Sequence, residues 1–141
     1  MARCFKFYEE YNFVITIYSN EITNQQLVNG VLESNYDEKR KPGLLELVDC
    51  RNVTNTNNLT TDGILTASKL ELDNEKYMGG KLAIIADRPH IRGLAMQYSL
   101  FAEKSREAVN VVNTVEEAIS WLGLNHLSEQ IFKDIDELYS E

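Results

Sequence analysis

The segment Lys81-Leu82-Ala83-Ile84-Ile85-Ala86 decides the fold class of this chain, together with the residues that follow it as far as Gly123. A short apolar run after the Gly79-Gly80 turn is typical of a buried β-strand. The next stretch predicts an amphipathic helix because apolar residues recur at steps of three and four: Ile91, Leu94, Ala95, Tyr98, Phe101 and Ala102. A valine-rich strand at 109–112 and a helix ending at Trp121-Leu122-Gly123 complete one α/β unit.

The residues before this unit add strands and helices of the same kind. Alternating apolar residues predict a hairpin of strands 4–8 and 13–18. Thr23 and Gln26 form a capping box that begins a helix near 24–34. The remaining predicted elements are a central strand at 44–49, a polar loop at 51–62 and a helix at about 62–73.

The segment after Gly123 predicts one more helix. Leu127, Ile131, Ile135 and Leu138 fall at helical spacing within an acidic stretch, so this helix would dock on the same molecule or on a partner. The predicted fold class is therefore α/β: a mixed sheet of four or five strands, helices mainly on one face, and an accessory C-terminal helix. We divide the chain into a domain at 1–124 and the accessory helix at 125–141.

Composition narrows the classes of partner. The chain has 141 residues and a net charge of −8, and a field of that sign repels nucleic acid phosphates. No apolar run approaches the roughly 18 residues that predict a membrane span. The first residues lack a signal-peptide pattern, so we expect a cytoplasmic protein. Cys4 and Cys50 share no metal-ligand spacing, and we predict free thiols, no metal site and no cofactor.

Polar residues follow two strands of the predicted sheet. The carboxyl ends of parallel strands meet at one edge, where α/β proteins tend to bind ligands. We therefore expect a candidate site for a small anionic ligand, or for a partner's acidic group, formed by Asp49, Arg51, Asp87, Arg88, His90 and Arg92.

A structural interpretation of the same residues stands beside this one. Asp49 would then pair locally with Arg51 or Arg92 and hold the loops in register. His90 lacks a serine, cysteine or second histidine nearby in sequence, so the set of groups needed for catalysis is incomplete and we predict no enzyme.

The order of elements and three motifs resemble the SpoIIAA-like proteins, small bacterial relatives of STAS domains and of CRAL-TRIO lipid-transfer domains. The motifs are Gly43-Leu44-Leu45-Glu46-Leu47-Val48-Asp49-Cys50-Arg51, Lys81-Leu82-Ala83-Ile84-Ile85-Ala86 and Glu116-Glu117-Ala118-Ile119-Ser120-Trp121-Leu122-Gly123. The resemblance implies a SpoIIAA/STAS-like fold over about residues 4–124. It also implies a non-enzymatic interaction or regulatory module, or alternatively a small-molecule or lipid-binding domain with a cavity between sheet and helices.

The resemblance also points to a possible phosphate acceptor. STAS anti-sigma-factor antagonists carry a phosphorylatable serine at the start of the helix after the third strand, where this chain has Thr60-Thr61-Asp62-Gly63. Thr60 and Thr61 are therefore candidate acceptors, although either threonine also suits an ordinary helix N-cap.

A protein partner or a homodimer is the remaining expectation. Met96 and Leu100 lie away from the apolar stripe of the strongest helix, so they would form a partner surface or be covered by the C-terminal helix.

Overall fold

Within residues 3–140, which the computed structural model describes, five strands alternate with five α-helices. The elements are β1 (Arg3–Tyr8), β2 (Phe13–Glu21), α1 (Asn24–Tyr36), β3 (Leu45–Asn55), α2 (Thr61–Leu72), β4 (Lys81–Ile85), α3 (Pro89–Ala102), β5 (Ala108–Val112), α4 (Val115–Leu122) and α5 (Ser128–Tyr139). No helix in this part of the chain is both long and apolar enough to cross a bilayer.

The sheet is mixed, as predicted. Its strand order is β1-β2-β3-β4-β5, with β1 antiparallel to β2 and every other neighbouring pair parallel. Val48 of β3 lies opposite Ile84 of β4, and Leu82 lies opposite Val109 of β5. This register places the carboxyl ends of the parallel strands at one edge, as the α/β pattern of the sequence requires.

Helices α4 and α5 cover one face of the sheet, which we call the α5 face. Ile15 and Ile17 of β2 share a buried cluster there with Ile119 of α4 and with Ile131 and Ile135 of α5. The C-terminal helix therefore docks on its own chain.

Helices α1, α2 and α3 cover the opposite face, which we call the cavity face. Three of the five helices thus lie on the cavity face, and the other two lie on the α5 face. Both faces need cover because the central strands are apolar on both sides: Val14 and Tyr18 of β2 are as buried as Ile15 and Ile17.

Strand β3 is longer than its apolar pattern predicts. It runs to Asn55, so residues 51–55 of the expected polar loop are in the sheet. The extension pairs with the last residues of β2, where Asn20 lies opposite Val53, and Val53 is almost fully buried. Hydrogen bonds to a neighbouring strand, rather than local sequence, set this boundary.

Candidate functional site

Asp49 and Arg51, which the sequence placed after the third strand, lie midway along β3 and meet on the α5 face. Asp49 is fully buried, and its carboxylate accepts hydrogen bonds from Arg51 Nε at 3.0 Å and Nη2 at 2.7 Å. The Arg51 backbone amide also donates to Asp49 Oδ1 at 3.0 Å. The side-chain hydrogen bond to Asp49 raises the pKa of Arg51 above its ordinary value. The local pairing considered from the sequence is present.

Tyr139, at the end of α5, contacts both residues of this pair. It was not identified as a site residue from the sequence. Its hydroxyl donates to Asp49 Oδ2 at 2.6 Å, and the Arg51 guanidinium lies 5.8 Å from its ring centroid. Burial and the bond to Asp49 raise the pKa of Tyr139. The only sequence signal was its place beside Leu138 at the end of the apolar stripe.

Arg88 and Arg92 use their guanidiniums mainly on the protein itself. Arg88 Nη2 donates to the backbone carbonyls of Arg51 and Val53, and its Nε lies 4.0 Å from the carboxylate of Asp87. Arg92 Nη1 donates to the Ala86 carbonyl at 2.9 Å and to the side chain of Asn113 at 2.6 Å. Both arginines join the start of α3 to neighbouring strand ends.

His90 lies on the other side of the sheet from Asp49. Its Nε2 is 2.8 Å from the hydroxyl of Thr56, a residue of the cavity wall. The structure therefore divides the six predicted site residues: Asp49 and Arg51 form one pair on the α5 face, and His90 belongs to the cavity face. Their role in binding a ligand or partner stays a prediction.

Thr60 and Thr61 both hold the start of α2 in place. Thr60 Oγ1 accepts the backbone amide of Gly63 at 3.1 Å and the side-chain amide of Asn24 at 2.9 Å. Thr61 donates its hydroxyl to Gln97 of α3 at 3.0 Å. Thr60 is thus the N-cap of α2. Phosphorylation of either threonine stays a prediction.

The cavity face contains an apolar space between the sheet and the helices, which the small-molecule-binding alternative requires. A cavity of about 120 Å³ lies between the sheet and α1–α3. Its walls are mainly apolar and include Val14, Val48, Leu82, Ile84, Val31, Ile64, Ile91 and Ala95. Burial raises the pKa of Cys50, another wall residue, to about 12, so its thiol is protonated at neutral pH and is not a nucleophile.

A buried ionic cluster lies at one end of the cavity, and we call it the Arg106 cluster. Arg106 comes from the loop before β5, and its guanidinium donates to Glu46 Oε1 at 2.9 Å and to Glu71 Oε2 at 2.7 Å. The Tyr98 hydroxyl donates to Glu71 Oε1 at 2.7 Å, and the Tyr77 ring centroid lies 4.4 Å from the guanidinium.

The electrostatics of this cluster follow from its burial. Loss of water alone would lower the pKa of Arg106, but the carboxylates of Glu46 and Glu71 outweigh that effect and raise it. Burial raises the pKa of Glu46, and the attraction to Arg106 only partly offsets this. The cluster therefore depends on the single guanidinium at its centre, which offsets part of the cost of burying Glu46.

Arg40 lies in another part of the cavity wall, in the loop after α1. Its side chain is only 7% exposed and lies against the rings of Phe5 and Phe7, whose centroids are 5.4 and 5.8 Å from the guanidinium carbon. Asp37 Oδ2 is 3.3 Å from Arg40 Nε, but Nε has no hydrogen-bond partner among residues 3–140. The charge and spacing of residues 37–43 gave no sign that this arginine is buried.

In the described part of the chain, no group of three or more His, Cys, Asp or Glu side chains is arranged to hold a metal ion. The sites that remain are therefore the Asp49–Arg51 pair, the cavity and the two buried arginines of the cavity face.

Comparison with known proteins gives the fold a name. No protein-family model matches the sequence, and no curated protein matches it. Among solved structures, the chain is similar to an uncharacterised protein of the DUF3478 family from Shewanella loihica PV-4, described as having a SpoIIAA-like fold. The two are 15% identical, the match covers 86% of this chain and 94% of that one, and the TM-score is 0.57. The chain has a SpoIIAA-like fold, as its motifs predicted.

Proposed function

We propose that this protein is a non-enzymatic binding domain that holds a small, largely apolar molecule between its sheet and α1–α3. The single observation that carries the proposal is the cavity of about 120 Å³ with its aliphatic walls. A cavity of about 150 Å³ made by mutation in another protein stays dry and binds benzene, so this space suits one small ring or a short chain. It is too small for a whole lipid, since pockets for larger ligands measure about 300–1,000 Å³.

Three further observations support binding rather than catalysis. Asp49, the most buried carboxylate of the predicted edge, is already hydrogen-bonded to Arg51 and Tyr139. The Cys50 thiol is held protonated. His90 contacts the hydroxyl of Thr56, but within residues 3–140 no hydrogen bond joins its ring to an acid that would orient it as a base.

The test is a titration with benzene in which NMR of the methyl groups detects binding. We expect saturable shifts for methyl groups of the cavity wall, such as those of Val48 and Ile84. Ala95→Leu places extra carbon atoms at the cavity wall and should abolish the shifts. Met96→Leu is the matched control, because Met96 is exposed on the same helix and the substitution should leave binding unchanged. The proposal fails if wall methyls do not respond, or if Ala95→Leu binds as well as the unaltered protein.

A STAS-like interaction module is the second candidate, and one observation favours it. Met96 and Leu100 are 52% and 66% exposed on α3, and α5 packs on the opposite face and leaves them uncovered. If these residues join two copies, sedimentation should show a dimer that Leu100→Lys disrupts. A monomer at every concentration would rule out this pairing.

A further inference from the structure

We propose that the cavity takes a small carboxylic acid, with its apolar body inside and its carboxylate bound by Arg40. This inference rests on the proposed function and names the chemical class of the ligand. It comes from the balance of hydrogen-bond donors and acceptors in the cavity wall.

Arg40 supplies an unused donor. Its side chain is more than nine-tenths buried, and its Nε lacks a hydrogen-bond partner among residues 3–140. The carboxylate of Asp37, 3.3 Å away, neutralises part of its charge without completing that bond. Buried polar groups are nearly always hydrogen-bonded, so a buried guanidinium nitrogen without a partner indicates a missing acceptor.

The acceptors of the cavity wall are already occupied. Glu46 accepts from Arg106 through both oxygens, and Glu71 accepts from Arg106 and Tyr98. Arg40 is near enough to Glu46 to lower the pKa of that carboxyl, but no hydrogen bond joins the two side chains. The cavity wall therefore offers an unused donor, Arg40 Nε, which fits an anion better than a cation.

Arg40 borders two spaces, and the surroundings favour binding of an anion in the cavity over binding at the surface. Arg40 also borders an open depression on the surface, where the charged neighbours are Glu38, Lys41, Asp73, Glu75 and Lys76. The three carboxylates there are matched by Arg40, Lys41 and Lys76, so the depression has no net positive charge to attract an anion, and the net charge of −8 repels anions over the whole molecule. Affinity for a carboxylate must therefore come from local contacts, and Arg40 inside the apolar wall is where such contacts are strongest.

The experiment compares benzoate with benzamide, which have nearly the same shape and differ in charge. Calorimetry or NMR titration should show benzoate binding about tenfold or more tightly, as one charge-assisted hydrogen bond predicts. The Arg40 Nε–H resonance should shift with benzoate. Arg40→Met should remove the preference while benzamide still binds. Lys41→Met is the control, because it removes the same charge from an exposed neighbour and should keep the preference.

The outcomes separate this inference from the proposed function. Equal affinity for the two probes, or a benzoate preference that persists in Arg40→Met, overturns the carboxylate inference and leaves an apolar binding domain. If benzene, benzamide and benzoate all fail to bind, the proposed function and the inference fail together. If Arg40→Met does not fold, the comparison in the unaltered protein and the Arg40 Nε–H resonance still decide.

Discussion

Replacing Arg106 by methionine should strongly destabilise the protein at neutral pH. The substitution keeps an unbranched apolar side chain but leaves Glu46 and Glu71 without the guanidinium that contacts both. The Arg106 side chain is 1% exposed, so water cannot take its place. Breaking a buried ion pair by removing one partner costs about 3–5 kcal/mol. That is a large part of the about 5–15 kcal/mol that stabilises a typical domain.

The stability that Arg106→Met costs should become smaller as the solution is acidified. The pKa of Glu46 is raised in the folded protein, mainly by burial, and Arg106 is one of the groups that holds it down. A group with a raised folded pKa favours folding when protonated, below its unfolded value, and this contribution is lost as pH rises through the folded pKa. Without Arg106 the folded pKa rises further, so the variant loses most at pH 7 and recovers towards pH 5.

Urea unfolding followed by circular dichroism measures the effect. With a slope of about 1.5–2 kcal/mol per molar, the midpoint should fall by about 2 M at pH 7 and by clearly less at pH 5. Lys104→Met is the control: it makes the same charge change at an exposed position two residues away, and it should shift stability by less than about 0.5 kcal/mol. A loss below about 1 kcal/mol at pH 7, or one that grows on acidification, would refute the reasoning.

Two other substitutions test contacts of the fold. Tyr139→Phe removes the hydroxyl that donates to buried Asp49. It should lower the free energy of unfolding in urea by about 1.5–3 kcal/mol and speed amide hydrogen exchange in α5. Unchanged exchange would mean that this hydrogen bond does not hold the helix. Gly80→Ala places a Cβ 2.3 Å from the backbone carbonyl oxygen of Leu44, so the turn before β4 must shift. The melting temperature should therefore drop by several degrees. An unchanged melting temperature would contradict that close approach.

Much of the fold could be predicted because its signals are local. The capping box at Thr23 and Gln26 begins α1 as predicted, and Pro89 stands at the start of α3. Gly123 has the left-handed conformation expected after α4. The end of β3 could not be predicted, because residues 51–55 are mostly polar and are held in the sheet by pairing with β2.

The candidate site was predicted less completely, because it depends on contacts between distant segments. The sequence alone determined the α/β class and the C-terminal helix, since spacing and short-range chemistry fix these features. It left the partner of Asp49 open between Arg51 and Arg92, and the structure shows that Arg51 is the partner. Only the tertiary structure decided that His90 lies away from that pair, that Arg106 contacts carboxylates 60 and 35 positions earlier, and that Arg40 is buried beside a cavity. Burial and long-range pairing arise when separate elements pack, and no local pattern of residues encodes them.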